Sequence, residues 1–315
     1  MPTTEPEPYA GPLPEVVPWL ESARRLVTAT VSSFLRHNGV TSSAALAFFF
    51  LMSLFPSLIF LASALALLPI PNLATRMVHL VSHFVPEQTM PLVDSMLTST
   101  MHTNNGLLSA GFILAVIAAS NAIASMATAL NTIYEVEETR GFWRERLSAI
   151  YVTFAVGGLT VVALSAMLLG PHFGRELARV FNVSHTFVTV WPLMRWVLVL
   201  TCALVSIGTL YYLGPNCKHT LRQQVAGSLF AVAVWIASSG LLGIYLRKFS
   251  YFNAMYGTLA SFIVLMMWLQ FAAMAILLGA ELNVELEKER SATQQAEAVG
   301  EGPDALSSTG AEPEP

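Results

Sequence analysis

Few side chains in this 315-residue chain are equipped for chemistry, and they are not scattered. The stretch NTIYEVEETRGFWRER, residues 131–146, gathers Glu135, Glu137 and Glu138, then Arg140, Arg144 and Arg146, with Phe142 and Trp143 between them. Arginine grips phosphate oxygens through a two-pronged guanidinium, and tryptophan favours the membrane–water boundary. Arg140 and Arg144 are therefore candidates to hold a lipid headgroup. The same residues also read as a positively charged anchor closed by its own ion pairs, a salt-bridged cap. His79 and His83 stand four apart, a spacing that puts two imidazoles on one helical face as a metal would need. No carboxylate completes that pattern, because Glu87 and Asp94 lie beyond Pro86, so the pair reads as a wetted face. No metal site and no cofactor are expected.

Nucleophile elbows, phosphate loops and dinucleotide fingerprints do not occur. The two cysteines, Cys202 and Cys217, make neither a disulfide framework nor a metal quartet. On these grounds the chain is not expected to be an enzyme. The net charge of −4 comes largely from Glu297, Glu301, Asp304, Glu312 and Glu314, and no nucleic-acid partner is expected.

Polar groups inside apolar stretches are the second set of candidates. One such stretch carries Ser120, Asn121, Ser125, Thr128 and Asn131; another carries Gln270 near its midpoint and ends at Glu281 and Asn283. Each must find a partner away from lipid. They serve either as hydrogen bonds between helices, at ~0.6 kcal/mol apiece, or as the lining of a polar path. Tyr256, with Asn253 and Gly257 in SYFNAMYGTL, stands just before the last stretch, as a substrate mouth or as a turn feeding the Thr258 N-cap.

The elements that position these residues follow from charge spacing. Hydrophobic residues make up 54% of the chain and charged ones 11%, against about 25% charged in an ordinary soluble domain. Windows free of Asp, Glu, Lys and Arg cover 37–75, 95–134, 147–174, 196–217, 223–246 and 249–280, each longer than the ~20 residues a helix needs to cross a bilayer. The reading is all-α, a polytopic membrane protein with six transmembrane helices. Residues 180–194, with Asn182, Ser184, His185 and Pro192, read as a loop. The first span starts too far along the chain and is too long for a cleaved signal peptide.

Trp19, Ala23, Leu26, Val27, Val31 and Phe34 share one face of a helix over residues 19–36, expected to lie along the membrane surface. Two short interfacial helices are expected between Pro69 and Asn105. Residues 1–18 and 291–315 are expected to be disordered tails around a membrane domain at 19–290. Ten lysines and arginines fall on one side of the spans and six on the other. By the positive-inside rule, both termini are then cytoplasmic.

Pro56 sits inside AFFFLMSLFPSLIFLASALALLP, residues 47–69. It removes the bond to the Met52 carbonyl, and the Ser57 hydroxyl is within reach of the Ser53 carbonyl, so a built-in bend is expected. That bend is either a static fit or a hinge used in function.

Four stretches together resemble the YihY/BrkB family of bacterial inner-membrane proteins: ALAFFFLMSLFPSL (45–58), ALNTIYEVEETRGFWRERLSAI (129–150), YYLGPN (211–216) followed by AGSLFAVAVWIASS (226–239), and YFNAMYGTLASFIVLMMWLQFAAMAILLGAELNVELE (251–287). Phe48, Phe49 and Phe50 stand where the family often has tyrosine. The resemblance spans residues 20–288 and implies a six-helix, multi-pass protein of the plasma (inner) membrane. It brings proposals of envelope-lipid or lipopolysaccharide-precursor transport and of serum resistance, and an older ribonuclease BN name that was a mistaken assignment.

The resulting expectation is transport or handling of a lipid or other envelope component. The candidate residues are Asn121, Asn131, Arg140, Arg144, Tyr256, Gln270 and Glu281, with Pro56 as hinge and membrane lipids as partners. The alternative is a non-transporting scaffold for envelope assembly, partnered by envelope proteins or by further copies of the chain.

Overall fold

The computed structural model describes residues 18–66, 90–91, 95, 105–180, 185–217, 220–248 and 258–300. Among them run seven long helices and no strand: α1 (Pro18–Arg36), α2 (Gly39–Ala66), α3 (Asn105–Ile133), α4 (Phe142–Val180), α5 (His185–Leu213), α6 (Leu221–Lys248) and α7 (Thr258–Gly300). Six segments are long and apolar enough to cross a membrane: Gly39–Leu58, Ser109–Ile133, Phe142–Met167, Trp191–Leu213, Arg222–Leu246 and Leu259–Ala292. Helix is the state such segments must take, because hydrocarbon offers backbone groups no partner outside the segment itself. Large apolar side chains such as Ile113, Leu114, Phe154, Val161, Leu193 and Leu241 point outward. Water would oppose that surface; acyl chains accept it.

Each span packs on the next in sequence from α2 to α7, and α7 packs back on α2, so the six close into a ring. α7 also touches α3 and carries α1. Without a hydrophobic drive inside lipid, close backbone approach has to hold the ring. Ala47, Ala122, Ala231, Ala273, Ala275 and Ala280 are buried accordingly. The tightest point is between α6 and α7, where a Cβ on Gly227 would fall on the Gly279 carbonyl oxygen and one on Gly279 would fall on the Gly227 carbonyl and the Tyr211 hydroxyl.

The corners at one end of the ring are individually built. After α1, the His37 amide bonds to the Ser33 carbonyl at 2.9 Å and Asn38 turns left-handed at φ 54°. After α3, the Val136 amide reaches the Asn131 carbonyl at 2.9 Å across Glu135, itself left-handed at φ 53°. That is the six-to-one closure of a Schellman motif with glutamate in the position glycine usually fills. α6 opens with the returning half of a capping box: the Gln223 side-chain oxygen accepts from the Thr220 amide at 2.8 Å and from its hydroxyl at 2.7 Å.

Several expectations need correction. α5 begins at His185, so most of the 180–194 loop is helical, with Pro192 inside. The charge of Arg195 marked the boundary in sequence, whereas apolar Phe187, Val188, Val190 and Trp191 let the helix start earlier. α7 runs to Gly300, ten residues into the segment assigned to the C-terminal tail; its Ala, Gln and Glu are good helix formers.

The apolar face expected on α1 is divided. Thr30, Ser33 and Phe34 turn inward, while Val27, Val31 and Leu35 are exposed. Ser33 and His37 find carboxylates on α7, which draws their side of the helix in. The apolar stripe left outside is what a helix lying on a membrane surface presents. Beside Pro56 it is Ser53 that bonds back, to the Phe50 carbonyl at 2.8 Å, rather than Ser57. The interfacial helices between Pro69 and Asn105, His79 and His83, and residues 1–17 and 301–315 of the tails lie outside the described residues, apart from helical turns at 90–91 and 95.

Candidate functional site

Because the spans alternate in direction, the start of α2, the end of α3, the start of α4, the end of α5, the start of α6 and the 281–288 stretch of α7 meet at one end of the ring. A continuous polar network occupies that end. The Asn131 amide donates to Glu138 Oε2 at 2.9 Å, and its oxygen accepts from the Asn216 amide at 2.7 Å. Arg140 grips Glu138 with two bonds of 2.8 and 2.7 Å and donates to the Gly214 carbonyl at 3.0 Å. The loop after α3 is thus stitched to the loop after α5.

The hydrogen bonds from Arg140, opposed by some desolvation, bring the Glu138 carboxyl down to about 2. The same pairing pushes Arg140 above its ordinary range. Burial pushes the Cys217 thiol up to about 11, with the Glu287 charge adding to the effect.

Deeper in, Gln224 Oε1 accepts from the Tyr134 hydroxyl and from the Asn283 amide, both at 2.8 Å, and Asn283 Oδ1 accepts from the Gly227 amide at 2.7 Å. Burial raises the Tyr134 hydroxyl well above the phenol range, so it remains a donor. On the other flank, His37 Nδ1 lies 2.8 Å from Glu281 Oε1, and its Nε2 lies 3.8 Å from Glu135. Glu285 accepts from Ser33 at 3.0 Å and pairs with Lys288 at 3.3 Å, and Lys288 also lies 3.7 Å from Glu135.

The second feature is an apolar cavity of about 350 Å³, partly open, lined by α4, α5, α6 and α7. Its wall includes Val156, Leu164, Met167, Val199, Cys202, Trp235 and Ile276. The Thr160 hydroxyl on the wall is spent on the Val156 carbonyl at 2.8 Å. Along α5 the lining runs from Val199 to Leu210 and along α4 from Val156 to Met167, ~17 Å at 1.5 Å per residue. The cavity therefore extends along the spans for about three helical turns.

Of the residues singled out by sequence, Asn131, Arg140 and Glu281 come together in the polar end. Asn121 stays outside it, exposed on α3, where its oxygen accepts from Arg146 at 2.6 Å. Arg144 is exposed beside Phe142 and Trp143, whose rings are T-shaped at 5.6 Å. Gln270 is half-buried and makes no hydrogen bond among the described residues. Ser120, Ser125 and Thr128 bond to carbonyls of their own helix. Tyr256 lies outside the described residues. Sequence reasoning missed His37, Asn216 and Gln224; His37 and Gln224 are polar residues at the first positions of otherwise apolar windows, and that was the available signal.

The family model described as virulence factor BrkB matches residues 30–301. A ribonuclease-like protein, YfkH, of Bacillus subtilis is 37% identical over 82% of this chain and 94% of its own length. UPF0761 membrane proteins of Chromohalobacter salexigens and Alkalilimnicola ehrlichii are 24% and 26% identical over 87% and 90% of this chain. The chain spans 66% and 63% of the length of those two. No solved structure matches it.

Proposed function

We propose a lipid-handling role for this chain, which belongs to the virulence factor BrkB family and is an integral membrane protein with six candidate spans. The observation that carries the proposal is the apolar cavity between α4 and α7. A preformed cavity of ~150 Å³ lined by aliphatic side chains stays dry and takes up benzene. This one is more than twice that volume, at about 350 Å³. Its wall belongs to four membrane spans, so the apolar molecules at hand are lipid acyl chains, and its length suits one chain lying parallel to the helices. In this reading the polar end of the ring, with Arg140, Arg144 and Arg146, faces the cytoplasm of a bacterial inner-membrane protein, an orientation supported by the bias of ten positive residues against six.

The test is photocrosslinking in membranes, using a phospholipid that carries a diazirine near the end of one acyl chain. Adducts should map to cavity residues such as Val199, Cys202 and Met167. Ala163→Phe and Ala203→Phe, which fill the cavity from two walls, should abolish those adducts while leaving labelling of outward residues such as Val161 unchanged. Labelling confined to the outward faces in the unaltered protein would overturn the lipid reading.

A further inference from the structure

The polar end contains a graded line of three titratable groups. Glu135 is exposed, with 61% of its side chain open to solvent; His37 is nearly buried at 12%; Glu281 is fully buried at 0%. They follow one another in space, 3.8 Å from Glu135 Oε1 to His37 Nε2 and 2.8 Å from His37 Nδ1 to Glu281 Oε1. The second carboxyl oxygen of Glu281, Oε2, is buried with no hydrogen-bond partner among the described residues. A carboxylate kept permanently ionised would normally have both oxygens bonded when cut off from water. Among the described residues, the two non-glycine left-handed ones, Asn38 and Glu135, stand at the corners that bring His37 and Glu135 face to face.

The geometry points to Glu281 as a proton-binding site filled from the aqueous end of the ring through His37. In the empty state, neutral His37 donates its Nδ1 proton to the Glu281 carboxylate. A proton arriving by way of Glu135 binds Nε2, and the Nδ1 proton passes to Oε1. His37 is left neutral with its proton on Nε2, Nδ1 now accepts from the Glu281 carboxylic acid, and the pair has gained one proton. Release runs the same steps backward, and no other bond changes.

The other charged groups around the pair are accounted for. Glu285, one turn along α7, is held by Ser33 and Lys288, and Arg36 donates to the Ser33 hydroxyl at 3.1 Å. Lys288 also faces Glu135. α2 brings no charge, since its first turns read GVTSSAALA. Among the described residues no three His, Cys, Asp or Glu side chains gather as a metal would require. The ligand that fits one buried carboxylate and one imidazole is a proton. The site stands apart from the cavity and does not rest on the lipid reading.

The experiment is infrared difference spectroscopy on the full chain in lipid nanodiscs, with a rapid pH drop. Acidification should produce one carboxylic-acid band with the signature of a buried group, reversible on returning to neutral pH. Glu281→Gln should remove that band, and Glu281→Asp should retain it at a shifted position, which assigns it even where the glutamine variant does not fold. His37→Asn, which leaves the carboxyl but removes the relay, should slow its protonation at least about a hundredfold, the lower end of what a positioned proton-transfer group contributes. Absence of a titrating buried carboxyl, its persistence in Glu281→Gln, an unshifted band in Glu281→Asp, or an unchanged rate in His37→Asn would each overturn the assignment.

Discussion

Replacing Gly279 by alanine adds one methyl group at the point where α6 and α7 touch, and the sign of its effect can be worked out from the contacts. In a helix interior alanine is favoured over glycine by roughly 0.5–1 kcal/mol, so with room to spare the change would stabilise. At Gly279 there is none: the new Cβ meets the Gly227 carbonyl oxygen, the Tyr211 hydroxyl and Ala231 Cβ. The first is backbone and cannot move alone. The second is fixed by donating to the Ile276 carbonyl at 2.5 Å, within a side chain that is fully buried. Forcing a methyl group into packed surroundings costs about 1–3 kcal/mol, and displacing the hydroxyl forfeits a further ~1 kcal/mol.

The net expectation for Gly279→Ala is a loss of about 1–3 kcal/mol. Gly158→Ala, with nothing within 4 Å of its Cβ, is the matched control and should be neutral or stabilising. Unfolding by titration with sodium dodecyl sulfate in mixed micelles measures both. Gly227→Ala should behave like Gly279→Ala. The double variant should cost less than the sum, because helices already pushed apart have room for the second methyl. Equal stabilities for Gly279→Ala and Gly158→Ala would refute the argument that backbone contact holds this crossing.

Three further outcomes are expected. Glu138 is held down to about 2 from an ordinary 4.5, so its contribution is complete above 4.5 and lost as pH falls from there toward 2. Glu138→Gln should flatten the acid limb of stability in that window and leave the region above pH 6 parallel to the unaltered protein, as read by unfolding midpoints. Cys217, pushed up to about 11, should be alkylated slowly at neutral pH in opened membranes, with the rate rising about tenfold per pH unit until the thiol titrates; a pH-independent rate would contradict its burial. Gln270→Leu strands no partner, since Gln270 makes no hydrogen bond among the described residues, and should leave stability within about 0.5 kcal/mol. A loss of cellular activity in that variant at full stability would mark Gln270 as part of a polar path.

The polar end of the ring was legible in the sequence because it is an exception there. In a chain whose spans are almost free of charge, residues such as Asn131, Arg140, Glu281 and Asn283 stand out, and three of the four stretches that carry the family resemblance supply this one network. Those residues declare themselves because a polar group near hydrocarbon survives only with a partner. Their pairing was not legible: nothing in the spacing of Gln224 and Asn283, or of His37 and Glu281, says that they meet, since that depends on α7 closing the ring against α1 and α6. The same closure explains why α1 turned Phe34 inward and left Val27 and Val31 outside, a division its own periodicity cannot make.

The cavity was invisible for the opposite reason. In a soluble protein an apolar residue is a signal of burial, but in a bilayer both the lipid-facing side and the protein-facing side of a helix are apolar. Val199 lines the cavity and Val197 faces lipid; Ala163 lines it and Val161 faces lipid. No pattern of hydrophobicity separates these pairs, because the two environments have nearly the same polarity. Under the proposed lipid-handling role, an acyl chain exchanging between bilayer and cavity would therefore gain little transfer free energy. What would select it is shape, contacts with a wall on several sides in place of mobile neighbours. Specificity for a lipid then has to come from where the headgroup rests, so the residues to compare among relatives are the polar ones bordering the cavity's two ends rather than its apolar wall.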